Sequence, residues 1–453
     1  MGFSKEFVWG VATASYQIEG AWNVDGRKES VWDAFSHMPG NVYQNETGDI
    51  ACDHYHRWQD DLDLMASLGV KNYRFSLAWP RILPDGKGKI NDKGIDFYSK
   101  LVDGLLERGI RPFVTLFHWD YPVELERLGG WYNPESSDWF AEYARVCAEK
   151  LGDRVKDFIT LNEPQCFLGL GYRVGEHAPG IRNPLDRFVE MSHNVMLSHG
   201  KAVQAMRSVR GDLRIGYAPC GDPSFPATES EQDIAAARKA YMTMGWRGEG
   251  FFWSPVWFSD PVILGRYPEE GMEDKEKYLP KGWQDDLKTI CQPLDFYCQN
   301  IYNGVAVKCA DNDLGFEVLP RPVGMGKTGM GWPITPEAIY WGPRFLCERY
   351  NLPFYISENG MSGMDWVDLD GNVHDPYRID YTRRYLRSYR RCAEEGYPIA
   401  GYFHWSFMDN FEWARGYNDR FGLVYVDYET QKRTPKDSAY WYKQVMETNG
   451  GSL

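Results

Sequence analysis

Eight times along this chain a short apolar run, rich in β-branched and aromatic residues, precedes a longer connecting stretch. The runs are EFVWGVATAS (6–15), VKNYRFSLAW (70–79), RPFVTLFHW (111–119), DFITLNEP (157–164), RIGYAP (214–219), LDFYCQNIY (294–302), PFYISENG (353–360) and IAGYFHWSF (399–407). Helical periodicity fills segments between them such as 53–69, 92–109, 335–351 and 380–396. Strand–helix units repeated in this way give parallel strands joined by right-handed crossovers. Eight of them predict an α/β fold, a single (β/α)8 barrel whose long βα loops form one face. A doubly wound open sheet is the alternative, but no G-x-G-x-x-G follows the first run. No linker, low-complexity tract or charge block divides the chain, so residues 1–453 are expected to form one catalytic barrel domain.

A barrel gathers the C-terminal ends of its strands on one face, where catalytic groups sit. Gln17 follows the first run and Arg74 lies in the second; His118 and Trp119 end the third, Asn162 and Glu163 the fourth. Asn300 and Tyr302 end the sixth run, Glu358 and Asn359 the seventh, and His404 and Trp405 fall near the end of the eighth. Either glutamate alone reads equally well as a polar residue marking the end of a strand. Together they form a pair that a barrel carries to opposite sides of one cavity. Two carboxyls so placed cleave a glycosidic bond: one protonates the leaving oxygen, and the other attacks the anomeric carbon or activates water.

Composition narrows the field. Apolar residues make up 43% and charged residues 25%, enough for a large core and too ordered a mixture for disorder. A net charge of −14 argues against nucleic acid or an anionic membrane as partner. Nine scattered cysteines without a CxxC pair read as reduced, mostly buried thiols of a cytoplasmic protein. The opening MGFSKEFVWG has neither a basic region nor an apolar core of a signal peptide, and no apolar run approaches membrane-spanning length. The 18 Trp, 29 Tyr and 23 Phe supply both core and a surface for stacking sugar rings.

The motifs then resemble one family from end to end. FVWGVATASYQIEG (7–20), TLNEP (160–164), YISENG (355–360) and HWSFMDNFEWARGYNDRFGLVYVDY (404–428) are similar to signatures of glycoside hydrolase family 1, the retaining β-glucosidases. The resemblance implies Glu163 as general acid/base and Glu358 as nucleophile. It implies Arg74 beside Glu358, favouring its ionised form, Tyr302 donating a hydrogen bond to Glu358, and Asn162 at the sugar 2-hydroxyl. Gln17, His118, Trp119, Asn300, Glu412 and Trp413 would hold the remaining hydroxyls, and Trp405 would be the floor under the ring. Retention requires carboxyls about 5–5.5 Å apart. It also implies a Glu163 pKa raised by the charge of Glu358 and a bell-shaped pH profile. The substrates would be β-glucosides or cello-oligosaccharides, with β-galactosidase or β-fucosidase side activity and no cofactor.

Some positions depart from the family pattern or stay open. A branch of the family that cleaves 6-phospho-sugars carries serine and lysine where this chain has Glu412 and Trp413, and a carboxylate there would repel phosphate. Unphosphorylated substrates are therefore favoured; a 6-phospho-β-glucosidase is the alternative, together with a non-catalytic sugar-binding protein, which would have lost one of the two glutamates. Gln165-Cys166 replaces the aromatic that often follows the NEP proline, at the border of the aglycone site. Trp332 either stacks the aglycone or packs a loop. His54-Tyr55-His56 has metal-ligand spacing but opens a helix with no partners at other strand ends, so no metal is expected. His177, in GEHAPG, reads as a structural loop residue. The oligomeric state is not written in the sequence.

Overall fold

The computed structural model describes residues 2–453. Its centre is a closed barrel of eight strands: β1 Val8–Ala12, β2 Asn72–Ser76, β3 Arg111–Phe117, β4 Asp157–Asn162, β5 Arg214–Ala218, β6 Phe296–Asn300, β7 Phe354–Asn359 and β8 Ile399–Trp405. Each strand pairs in parallel with the next in chain order, and β8 pairs with β1 to close the ring. Every strand lies within one of the eight apolar runs. The runs overshoot at their C-terminal ends, because the first residues of the βα loops are also apolar or aromatic. Run 6–15 is an example: its strand stops at Ala12, and Ser15–Ile18 forms a one-turn helix that carries Gln17.

Both faces of each strand are covered, which is why the strands read as continuous apolar runs rather than alternating ones. Inside the barrel Val8, Phe113, Ile159, Phe296, Cys298, Tyr355 and Phe403 pack into one cluster that extends up to Trp405. The rings meet edge to face, as with Phe113 and Phe403 at 5.0 Å between centroids. Gly216 makes room for this packing: a Cβ there would stand 2.1 Å from the Phe296 ring. The lower end is closed by Asp157, held between Arg111 at 2.6 Å and Arg214 at 3.0 Å.

Helices form the outer layer, among them His54–Ser67, Asp92–Glu107, Ser136–Leu151, Leu185–Val209, Ala338–Tyr350 and Pro376–Glu394. The abundant tryptophans divide between two jobs. Trp32, Trp79, Trp131 and Trp257 are fully buried core, and Trp79 stacks on Tyr143 at 4.8 Å behind β3. The others discussed below face a cavity. No helix among the described residues is long and apolar enough to cross a membrane.

One buried ion network fixes the loops that follow β7 and β8. Lys436 reaches Asp365 at 2.5 Å and Asp409 at 2.7 Å; Arg378 pairs with Asp365 at 2.8 Å and Arg420 with Asp409 at 2.7 Å. Lys436, Asp365, Asp409 and Arg378 have no side-chain exposure. Removing one member of such a network strands a buried charge. Lys436→Met should therefore lower stability by about 3–5 kcal/mol, read as a lower thermal midpoint. Adding Asp409→Asn should return part of the loss; two additive losses would show that the residues act independently.

Candidate active site

The strand ends open into a cavity of about 480 Å³, within the usual range for small-molecule sites. Ten of the thirteen residues singled out from the sequence line it: His118, Trp119, Glu163, Asn300, Tyr302, Trp332, Glu358, Trp405, Glu412 and Trp413. The other three do not form its wall. Arg74 and Asn162 bond wall residues from behind, and Gln17 is held by the Asn410 Oδ1 and the Phe411 carbonyl at 3.0 and 2.9 Å.

Local backbone explains how strand ends present these groups. β4 stops at Asn162, Glu163 takes a left-handed conformation (φ 48°), and Pro164 leads into π-helical turns over Gln165–Val174. The Glu163 N–H donates to the Ala218 carbonyl on β5 at 2.8 Å, which fixes the turn. Trp119 (φ 78°) and Trp413 (φ 53°) are left-handed as well. Bulky residues rarely adopt this region, and such strain collects at functional sites. Gly360, just beyond β7, allows β7 and β8 to approach there: a Cβ would lie 1.9 Å from the Trp405 carbonyl oxygen.

Arg74 is the hub of the floor. It donates to Thr115 Oγ1 at 3.2 Å, the Ser357 carbonyl at 2.9 Å, Glu358 Oε1 at 2.7 Å and Asn162 Oδ1 at 2.6 Å. Asn300 Nδ2 donates to Asn162 Oδ1 at 3.1 Å and Glu163 Oε1 at 2.8 Å, and Ser357 Oγ donates to Asn300 Oδ1 at 2.6 Å. Tyr302 donates to Glu358 Oε2 at 2.8 Å, while its own carbonyl accepts from Tyr381 and Tyr385. Since both donors above meet Asn162 Oδ1, its Nδ2 faces His118 Nε2 at 3.0 Å. That bond makes Nε2 an acceptor and places the ring proton on Nδ1. Burial, with Arg74 adding to it, lowers the His118 pKa and keeps the ring neutral.

The carboxyls differ in their surroundings. Burial raises the pKa of both Glu163 and Glu358. The Arg74 cation and the Tyr302 hydroxyl oppose this at Glu358, whereas the charge of Glu358 raises Glu163 further. Of the pair, Glu163 keeps the proton. Glu412 is also raised, by burial and then by Asp419, Glu358 and Glu163. The sequence reading had Glu412 as an anion that repels phosphate; its surroundings instead favour the neutral carboxyl. The neighbouring Arg415 is paired with Asp419.

Gln17 Oε1, His118 Nδ1 and Glu412 Oε2 are buried without a protein partner. His118 and Glu412 are wall residues, and buried polar atoms as a rule find partners, so these two atoms suit a ligand rich in hydroxyls. Trp405 lies at the floor, stacked with His118 at 5.7 Å, and Trp119 and Trp413 meet at 4.4 Å on one side. A proton-bearing carboxyl and a carboxylate beside a guanidinium in one cavity can act as acid and nucleophile.

The wall also holds residues the sequence reading did not select. Cys220 sits just beyond β5, a strand end for which no site residue had been chosen, and barrel logic alone could have found it. Asp222, Trp253 and Arg321 come from loops whose course is set by tertiary packing, whereas Cys166, which the sequence places at the border of the aglycone site, lies in the π-helical turns after Glu163. His177, read as structural, is in the wall too, against Trp119 at 5.6 Å. His54 and His56 form no metal site: His54 is buried on Asp61 at 2.7 Å, and His56 turns outward to Asp53 at 2.6 Å.

Comparison with known proteins agrees with this geometry. The family model "Glycosyl hydrolase family 1" matches residues 1–451. Beta-glucosidase A of Thermotoga maritima is 48% identical, over 99% of this chain and 98% of the relative. The bifunctional beta-D-glucosidase/beta-D-fucosidase of Bifidobacterium breve is 42% identical, over 98% of each chain. The solved structure of the Thermotoga maritima β-glucosidase in complex with glucoimidazole superposes with a TM-score of 0.90 at 48% identity, covering 99% of both chains.

The raised pKa of Glu412 has a testable sign. A carboxyl that binds its proton more tightly when folded than when unfolded costs stability as pH rises from about 4.5 through the folded value. Glu412→Gln removes that cost. The midpoint difference, variant minus wild type, should grow by roughly 1–3 °C between about pH 5 and pH 8, measured by calorimetry. A difference that stays flat or shrinks would reject the neutral carboxyl.

Proposed function

The chain belongs to glycosyl hydrolase family 1, and on that premise we propose that it is a retaining exo-β-glucosidase acting by double displacement on terminal non-reducing β-D-glucosyl residues. One observation carries the reading: of two carboxyls in the cavity wall, Glu358 has a guanidinium and a phenol on its oxygens while Glu163 has neither. Glu163 then gives its proton to the glycosidic oxygen as Glu358 attacks the anomeric carbon. A carboxyl separation of about 5–5.5 Å leaves no place for water behind the sugar. Once Glu358 is an ester its charge is gone, the Glu163 pKa falls, and Glu163 takes a proton from the incoming water. A bell-shaped pH profile follows.

In this reading Trp405 carries the glycone ring, and Asn162 meets its 2-hydroxyl, a contact that strengthens toward the oxocarbenium-like transition state. Gln17, His118, Trp119, Asn300, Glu412 and Trp413 take the other hydroxyls. Trp332 forms one side of the aglycone entrance. Galactosides and fucosides are side substrates, a breadth supported by the bifunctional relative. The natural substrates are β-glucosides or cello-oligosaccharides, residues 1–453 act as one catalytic domain, and nine free thiols, seven of them buried, support a cytoplasmic setting.

Glu358→Gly should lose more than about 10⁴-fold in kcat on 4-nitrophenyl β-glucoside, and added azide should restore turnover with α-glucosyl azide as product. An α-azide from Glu163→Ala instead would exchange the two roles. A non-catalytic binding protein would show no wild-type turnover at all. The 6-phosphate of the same glucoside should react at least about 100-fold more slowly in kcat/KM; the reverse order would establish the phospho-sugar alternative.

A further inference from the structure

Two thiols stand beside Glu163 that the reaction above does not use. Cys166 lies three residues on, and its N–H donates to the Glu163 carbonyl at 2.9 Å. Cys220 arrives from the end of β5. Their Sγ atoms are 3.8 Å apart, and both side chains line the cavity. The donor atoms of Glu163, Cys166 and Cys220 all lie within 4.8 Å of one another. The three residues retain only 6%, 8% and 7% exposure, so the cluster is reached from the cavity.

The sulfur spacing is informative. Two thiolates bound at about 2.3 Å to one tetrahedral ion sit roughly 3.8 Å apart. The thiols therefore already span one edge of such a coordination sphere, and a carboxylate oxygen is within reach of a third corner. The open cavity leaves the fourth corner to water. Sulfur ligands select soft and borderline ions over Mg²⁺ or Ca²⁺. We propose that Cys166, Cys220 and Glu163 form a binding site for a thiophilic d¹⁰ cation such as Zn²⁺ or Cd²⁺, and that the bound ion inhibits the enzyme by occupying Glu163. One divalent ion replaces the protons of both thiols and the proton that Glu163 carries in the metal-free protein; all three leave to solvent, and no electron transfer is involved. The contact with Cys220 and then burial favour the protonated Cys166, and burial favours the protonated Cys220, so the ion must compete with those protons. Binding at the three residues is independent of what Glu163 does in turnover. Inhibition rests on its proposed role as acid/base.

The test uses full-length enzyme stripped of metal. Titration with CdCl2 should produce a sulfur-to-cadmium charge-transfer band that saturates at one equivalent. Cys166→Ser and Cys220→Ser should each abolish it, and Cys309→Ser, at an exposed thiol, should keep it. ZnCl2 should inhibit hydrolysis of 4-nitrophenyl β-glucoside, with activity restored by a chelator. Each thiol variant, read against its own metal-free rate, should need at least about 10-fold more zinc, the loss of one good ligand. If a serine variant folds poorly, alanine variants and the zinc-induced rise in wild-type thermal midpoint replace it, since an ion bound to the native state raises that midpoint. No cadmium band in the wild type would overturn the site, as would a band or inhibition unchanged in both thiol variants. A band without inhibition would overturn the inhibitory half alone.

Discussion

A single guanidinium holds the pocket floor together. Arg74 projects from β2 and bonds side chains of β3, β4 and β7, so four of the eight strands converge on it. Asn300 extends the mesh to β6. Burying an arginine costs several kcal/mol unless its donors are met. Here four bonds meet them, and one acceptor is Glu358 itself. The barrel therefore cannot place Arg74 without also placing the carboxylate opposite Glu163. The interaction is weak evidence for stability, since a buried ion pair rarely beats packed apolar groups. What it supplies is position.

The same floor explains an apparent excess of acid. Glu163, Glu358 and Glu412 all line one cavity, and their mutual repulsion plus burial favours binding protons. Arg74 decides which one gives its proton up most readily. The resulting asymmetry comes from two hydrogen bonds on Glu358 and their absence from Glu163, not from any difference in residue type. Strain is stored alongside it: Trp119, Glu163 and Trp413 hold left-handed backbones that a freely chosen sequence would give to glycine or asparagine. Stability is given up at this face, and the packed aromatic layers below and behind it offset the loss.

How much of this was legible in the sequence follows from range. The barrel was legible because each strand is buried on both faces and writes itself as one apolar run. The residues at strand ends were legible because the barrel sends all such ends to one place. Loop contributions were not. Asp222, Trp253 and Arg321 reach the wall by tertiary routes that leave no local pattern. Cys220 had a signal, its place after β5, but a cysteine there reads as one more core thiol. The pull on Glu412 was invisible as well: a glutamate in sequence reads as charged, and only burial and then three neighbouring acids in the fold raise its pKa.

The two ends of the cavity are built on different principles, and specificity should follow. On the proposed function the glycone end is a mesh in which His118 Nδ1 and Glu412 Oε2 lack protein partners. A sugar lacking a matching hydroxyl leaves one of them unpaired and buried, and a site built to bond a hydroxyl can reject the analogue without it by about 10⁴–10⁵-fold. On the same reading the aglycone end is lined by Trp332, Trp253, Cys166 and loop residues that come from separate connections. Aromatic rings stand there beside Asp222 and Arg321, and an apolar contact discriminates by only about 1–3 kcal/mol per methylene. On the proposed function, strict reading of the sugar and loose reading of the leaving group would follow from which strands and loops build each wall, and changes in the loops would retune the second without disturbing the first.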